Sequence, residues 1–242
     1  MTRLDWNVLD LDYEQEATRI CARLREILAR TLHRRGMVVA ISGGIDSSTC
    51  LGLAVRALGA DKVYALILPE RDSSDDSAAR ARILADHLGV RTQTHDIEPA
   101  LAAIGCYEQR DAAVRRVLPG YGPGWRFKIV IAGGRDGGIN YFRLVAKSPD
   151  GADHDVPLPL AEYLAIVAAT NFKQRIRKNL EYFHADRLNY AVTGTPNRLE
   201  YDQGFFVKNG DGSADLKPIA HLYKTQVYAM ARHLGLPDEI CS

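Results

Sequence analysis

Short, uninterrupted apolar runs alternate with longer amphipathic stretches through the first hundred residues. That order is expected of parallel strands joined by crossover helices. A helical pattern around residues 14–34 leads into Met37-Val-Val-Ala-Ile41, which has the length and branching of a strand buried on both faces. A second helix is predicted over 46–58, where Leu51, Leu53, Ala54, Val55 and Leu58 recur at helical spacing before Gly59. Val63 to Leu68 then reads as a strand stopped by Pro69. Ser73-Ser-Asp-Asp76 offers capping side chains to a helix running to about His87, and Val90 to Ile97 alternates like a third strand.

The texture changes from about Cys106 to Pro157. Pro119-Gly-Tyr-Gly-Pro-Gly124 is a loop, and two strand-like runs, 127–131 and 140–145, flank Gly133-Gly-Arg-Asp-Gly-Gly138. The pattern predicts an inserted β-hairpin lobe, with the glycine run as its connection rather than a second phosphate loop. Beyond it come a long helix from Leu160 to about Arg187, a strand over Leu188–Thr193, a loop-rich stretch to Pro218, and a helix from about Leu222 to Leu234 closed by Gly235-Leu-Pro237. The expected fold is one α/β domain over residues 1–242, a Rossmann-like parallel sheet flanked by helices, carrying an insert at about 106–157.

Composition narrows the class without naming a function. Lys plus Arg number 31 against 30 Asp plus Glu, so no global basic field draws the chain to nucleic acid or anionic lipid. No run approaches the roughly 18 apolar residues of a membrane span, and Met1 to Glu16 lacks the apolar core of a signal peptide. A cytoplasmic enzyme is expected. The cysteines Cys21, Cys50, Cys106 and Cys241 are widely separated, read as reduced thiols, and place no zinc or redox pair, with Cys21 and Cys50 in the core.

The candidate chemistry begins at Ser42-Gly-Gly-Ile-Asp-Ser-Ser48. Between a strand and a helix, such a loop aims backbone N–H groups and the positive helix end at an anion. Ser42, Ser47 and Ser48 add hydroxyl donors, Gly43 and Gly44 permit close backbone approach, and Asp46 can hold Mg²⁺. Neither the P-loop nor the dinucleotide fingerprint is present. The string resembles the signature of the N-type ATP pyrophosphatases. That resemblance implies the adenine nucleotide alpha hydrolase-like fold, with ATP at the carboxyl ends of the strands and adenine near Leu68-Pro69.

The second half is similar to NAD synthetases. From Thr195 through Gln226 the chain keeps the family's spacing of G-T-x-x-x-x-E, then G-[FY]-F-T-K-Y-G-D-G-x-A-D-x-x-P, then L-[YT]-K-x-Q. Asn171-Phe-Lys-Gln-Arg-Ile-Arg177 resembles the family's N-x-x-A-R-x-R, and Asn171 and Arg175, four apart, share a helix face. By position the resemblance implies that Asp46 and Glu200 bind Mg²⁺ and that Thr195, Arg175 and Lys224 contact ATP. It assigns Asn171, Phe205 and Asp211 to nicotinate adenine dinucleotide. Asp46, Lys224 and Arg175 would be the catalytic groups.

The implied reaction adenylates the nicotinate carboxylate with loss of pyrophosphate, and ammonia then displaces AMP to give NAD. With no amidohydrolase domain attached, free ammonia or a separate glutaminase would supply nitrogen, and the family's members are typically homodimers. The departures are Arg198 and Leu199, where many members have Lys-Ser, and Val207 and Asn209, in place of Thr and Tyr. The chain stops at Ser242, where the family continues into a loop covering the active site. An adenylating amidoligase for another carboxylate and an ATP-binding sensor without turnover are the alternatives. A tRNA thiolase fits less well, for want of a cysteine pair and a basic, aromatic face. His221 is expected on the surface, without an acid/base role.

Overall fold

The computed structural model describes residues 9–133 and 141–241. The chain divides into two compact units, Met1–Glu98 with Gln174–Ser242, and Pro99–Lys173.

The first unit is built on a four-stranded parallel sheet of order β3-β2-β1-β7, formed by β1 (Met37–Ala40), β2 (Val63–Ile67), β3 (Arg91–Thr94) and β7 (Ala191–Val192). Met37 lies beside both Val63 and Ala191 in the register. Every residue of β2 is buried, which explains its unbroken apolar run: with both faces covered there is no polar side to alternate with.

The helices of this unit begin with α1 (Tyr13–Glu26), α2 (Ile45–Leu58) and α3 (Asp75–His87). After the second unit come the C-terminal part of α6 (Leu160–Leu188), then α7 (Arg198–Gln203), α8 (Lys224–His233) and α9 (Asp238–Cys241). α1 starts where Asp12 accepts from the Gln15 N–H at 3.0 Å and carries Glu14 and Glu16 in its first turn, complementing the helix dipole. It passes into a π turn over Ile27–Leu32, closed by a left-handed His33. Met37, Val39, Val63, Ala65 and Ile67 turn one sheet face toward a core that includes Leu24, Leu51, Leu53, Val227 and Met230. Cys21 and Cys50 are in this core, and all four cysteines are free and buried.

Two expectations are corrected. The strand read over Leu188–Thr193 shrinks to Ala191–Val192, because α6 continues to Leu188 and Asn189 takes the left-handed conformation that ends a helix. Thr193 extends the pairing only as an isolated bridge to Leu216. The inserted hairpin is a three-stranded antiparallel sheet: β4 (Arg126–Ala132), β5 (Tyr141–Lys147) and β6 (Asp153–Pro157), in that order. β6, Asp153-His-Asp-Val-Pro157, is an edge strand with one aliphatic residue, so it carries almost no hydrophobic period to read.

The sheet belongs to the second unit, which also holds α4 (Glu98–Ala103) from Pro99 onward, α5 (Cys106–Val117) and α6 up to Lys173. Its own core joins Ala113, Val114, Tyr121, Leu144, Ala146 and Ile166, and Phe142 stacks on Tyr163 at 3.8 Å between ring centroids. Beyond Gly133, the predicted Gly133–Gly138 connection lies outside the described residues.

Candidate active site

The carboxyl ends of β1, β2 and β7 open into a cavity of about 620 Å³. Ser42 and Ser47 line it from the loop after β1, Leu66 to Pro69 from β2, and Thr193 to Thr195 from β7. An adjoining cavity of about 220 Å³ is lined by Ser42, Gly44, Asp46, Ser47, Thr195, Glu200, Phe205 and Asp211, among others.

The loop is shaped by local hydrogen bonds. Gly43 has φ +75°, and a Cβ there would meet the Ser77 carbonyl oxygen at 2.6 Å and Arg80 Cβ at 2.9 Å, so only glycine fits between the loop and α3. The Ser47 and Ser48 hydroxyls both donate back to the Gly44 carbonyl, at 3.0 and 2.8 Å. Ser47 nevertheless lines both cavities, whereas Ser48 is fully buried and lines neither.

Asp46, in the first turn of α2, pairs with Lys224 through Oδ2 and accepts from Asn197 Nδ2 at 3.2 Å through Oδ1. Lys224 is the first residue of α8, an end where the helix dipole disfavours a cation, and Asp46 compensates it there. Asn197, only 2% exposed, also accepts from the Leu199 and Glu200 N–H groups, and Glu200 Oε2 accepts from the Asn197 N–H at 3.1 Å. This capping box fixes α7 and with it the Glu200 carboxylate beside Asp46.

A third wall comes from α6, whose residues Gln174, Arg177, Lys178 and Glu181 share one face and line the larger cavity. Arg177 Nε donates to the Leu68 carbonyl at 3.2 Å, and Lys178 pairs with Glu181 at 2.7 Å, both nearly buried. Burial holds Glu181 above the ordinary carboxylate range, opposed by Lys178 and reinforced by Asp211.

Of the expected site residues, Ser42, Gly44, Asp46, Ser47, Leu68, Thr195, Glu200, Phe205 and Asp211 line one or both cavities. Lys224 joins them through Asp46. Arg175 lines neither and donates to the Lys208 carbonyl at 3.1 Å, and Asn171 falls in the second unit. Asn197, Arg177, Lys178 and Glu181 were not anticipated. Their signals were present, an N-x-x-E capping pattern at 197–200 and a polar 174/177/178/181 face. His221 sits against Glu16 at 2.6 Å, away from both cavities.

The donor set of the smaller cavity is made of carboxylates, hydroxyls and backbone, which suits a hard cation completed by phosphate oxygens. Among the described residues no cluster of three or more His, Cys, Asp or Glu side chains forms a closed metal site. No helix among them is long and apolar enough to cross a membrane.

The family model described as NAD synthase matches residues 16–116 and 159–242. The chain belongs to the NAD synthase family. The unmatched gap holds the β4–β6 sheet. A curated NH₃-dependent NAD⁺ synthetase of Rhizobium meliloti is 57% identical over 235 residues, spanning 97% of this chain and 70% of that protein. That share is too large to leave the β4–β6 segment without a counterpart there. Among solved structures, an NMN synthetase from Francisella tularensis matches with a TM-score of 0.68 at 23% identity, covering 96% of this chain and 75% of that one. An NH₃-dependent NAD synthetase from Campylobacter jejuni matches with a TM-score of 0.67 at 23% identity, covering 96% and 77%. These likenesses show that the NAD synthase family member shares their α/β fold. Their differing activities show that the fold alone does not choose the substrate.

Proposed function

We propose that this chain is an ammonia-dependent NAD synthetase: it uses ATP to adenylate the nicotinate carboxylate of nicotinate adenine dinucleotide, and ammonia then displaces AMP. The single observation that carries this reading is the identity of 57% along nearly the whole chain to an NH₃-dependent NAD⁺ synthetase. The grouping of the Ser42–Ser48 loop, Asp46, Glu200 and Lys224 around one pair of cavities supports it.

A carboxylate is anionic and has no good leaving group, so ammonia cannot attack it productively until it is activated. ATP sits in the larger cavity, its base toward Leu66–Pro69 and its phosphates toward Ser42, Ser47 and the positive end of α2. The nicotinate carboxylate oxygen attacks the α-phosphorus, and pyrophosphate leaves. Lys224 and the loop's backbone N–H groups hold the negative charge that builds on the departing pyrophosphate, and Lys224 needs little reorganisation because Asp46, itself held by Asn197, already fixes its place. Asp46 and Glu200 hold Mg²⁺, which supplies Lewis-acid charge stabilisation to the phosphates. Ammonia then attacks the acyl carbon and AMP departs, leaving the amide.

Phe205 and Asp211 border the substrate side. Asp211 Oδ1 accepts from the Val207 N–H at 2.7 Å, so the turn that replaces Thr and Tyr with Val207 and Asn209 is held by the same residue that lines both cavities. Arg175 keeps an ATP role in this reading through the N–H groups that its Nε bond to the Lys208 carbonyl leaves over, and Asn171 contacts the dinucleotide. One catalytic domain carrying an insert, a homodimer and a cytoplasmic location belong to the same family reading.

The test is release of AMP and pyrophosphate from ATP and Mg²⁺ with ammonium, with and without nicotinate adenine dinucleotide, followed by mass analysis for NAD. NAD formation dependent on the dinucleotide is expected. ATP binding with no turnover, or amidation only of nicotinate mononucleotide, overturns the substrate assignment.

A further inference from the structure

The larger cavity contains a charged pair that the reaction does not require. Lys178 and Glu181 are 5% and 4% exposed, pair with each other at 2.7 Å, and stand on the α6 face that walls the cavity. Taking two opposite charges out of water is costly, and well-packed apolar side chains of similar volume generally serve stability as well or better. A buried pair kept in a ligand cavity therefore asks for a ligand-side explanation.

The geometry supplies one. The ion pair engages Glu181 through Oε2, leaving Oε1 to accept from a ligand, while the ammonium of Lys178 has further hydrogens to donate. An acceptor beside a donor is the complement of one adenine edge, where the 6-amino group donates and a neighbouring ring nitrogen accepts. The phosphates are excluded as the partner, because a carboxylate repels them and the Ser42–Ser48 loop already takes them. The Leu68 carbonyl, the main-chain acceptor at the base end of the cavity, is engaged by Arg177 Nε at 3.2 Å. The side chains of α6 therefore stand at the base end of the cavity, beside the Leu68 carbonyl that Arg177 holds.

We propose that the Lys178–Glu181 pair reads the 6-amino group and the adjacent ring nitrogen of the adenine of ATP, and so sets the base selectivity of the enzyme. This rests on the reading of the larger cavity as the ATP site. Neither residue touches the reacting phosphates or the carboxylate, so both determine specificity rather than catalyse.

The experiment compares KM for ATP with KM for purine riboside triphosphate, which lacks the 6-amino group, in the wild type, in Glu181→Gln and in the paired variant Lys178→Met/Glu181→Leu. The paired variant removes both charges together and leaves no lone buried ion, so its melting temperature is expected to hold or rise. In the wild type, ATP is expected to be favoured by about 10- to 100-fold, the range of a hydrogen bond to a charged group. In the paired variant, KM for ATP rises while KM for the analogue changes by less than about 3-fold, so the preference collapses. Glu181→Gln keeps an acceptor oxygen and retains part of the preference.

A wild type that takes both nucleotides equally overturns the proposal, as does a folded paired variant with undiminished preference. Failure of the wild type to use ATP at all overturns instead the assignment of the cavity to ATP, and isothermal titration of the wild type with ATP and Mg²⁺ separates the two results.

Discussion

Lys224 and Asp46, which stand 178 positions apart, form an ion pair that joins the first turns of α8 and α2. Each has a local reason to be costly or favourable: the carboxylate suits the positive end of α2, while the ammonium opposes that of α8. The pair thus holds a cation beside the phosphate loop against its own helix. Lys224→Ala is expected to lower kcat/KM for NAD formation by about 10²- to 10³-fold, the loss typical of removing one preorganised charge-stabilising donor. The pair is partly exposed, with side chains 43% and 19% accessible, so its contribution to stability is about 1 kcal/mol or less. Steady-state kinetics with a thermal melt checks both, and undiminished turnover in a folded variant removes Lys224 from the mechanism.

Glu200 serves as both a cap and a proposed metal ligand, and one substitution separates the two roles. Glutamine at this position still accepts from the Asn197 N–H and completes the capping box, whereas its neutral amide binds Mg²⁺ poorly. Glu200→Gln is expected to leave the melting temperature within about 2 °C of the parent, little more than the effect of half a kcal/mol at this chain length. The Mg²⁺ concentration for half-maximal activity should rise at least ~10-fold, the order seen when the support of a metal site is disturbed. A Mg²⁺ titration that superimposes on the wild type would falsify the ligand assignment.

Gly43 and Gly59 both have positive φ, yet they sit in different surroundings. A Cβ on Gly43 runs into the Ser77 carbonyl and Arg80, whereas one on Gly59 meets nothing within 4 Å. Both alanine variants should lose about 1–2 kcal/mol from backbone strain. Only Gly43→Ala should also displace the loop, and KM for ATP is expected to rise in it and not in Gly59→Ala. Equal ATP kinetics in the two variants would show that the loop tolerates the displacement.

The parts of this site that were legible in the sequence are those encoded by consecutive residues. Ser42 to Ser48 follows a buried strand and opens a helix, so its placement could be read locally. Glu200 and Lys224 were reachable only through resemblance, since nothing along the chain says that the first turn of α8 returns to α2. The α6 wall shows the limit most clearly. Spacing paired Arg175 with Asn171, but the cavity takes the face of Gln174, Arg177, Lys178 and Glu181, and which face of a long polar helix turns inward is a tertiary fact. The sheet edges failed for a different reason. β6 is too polar to show a period, and β7 is cut short by a left-handed Asn189 that only the folded backbone reveals.

His184 links the unit's sheet to α6 in a way that makes stability depend on pH. It is 2% exposed, its Nδ1 accepts from Arg187 Nε at 2.9 Å, and its Nε2 lies 2.9 Å from Nε2 of His95. Since Nδ1 accepts, the proton of neutral His184 must be on Nε2 and must be donated to His95. A second proton would face the Arg187 guanidinium, and burial, then Arg187, then His95 hold the His184 pKa below its ordinary value. A depressed pKa means that the unfolded chain takes up the proton more readily, so the stability held by neutral His184 is complete above about pH 6.5 and is lost as pH falls through the folded-state pKa. The melting temperature is therefore expected to decline between about pH 7 and pH 5, more gently in His184→Gln, where no proton is taken up in that window. Parallel melts of the two proteins across that range decide it, and identical slopes would mean that the acid sensitivity arises elsewhere.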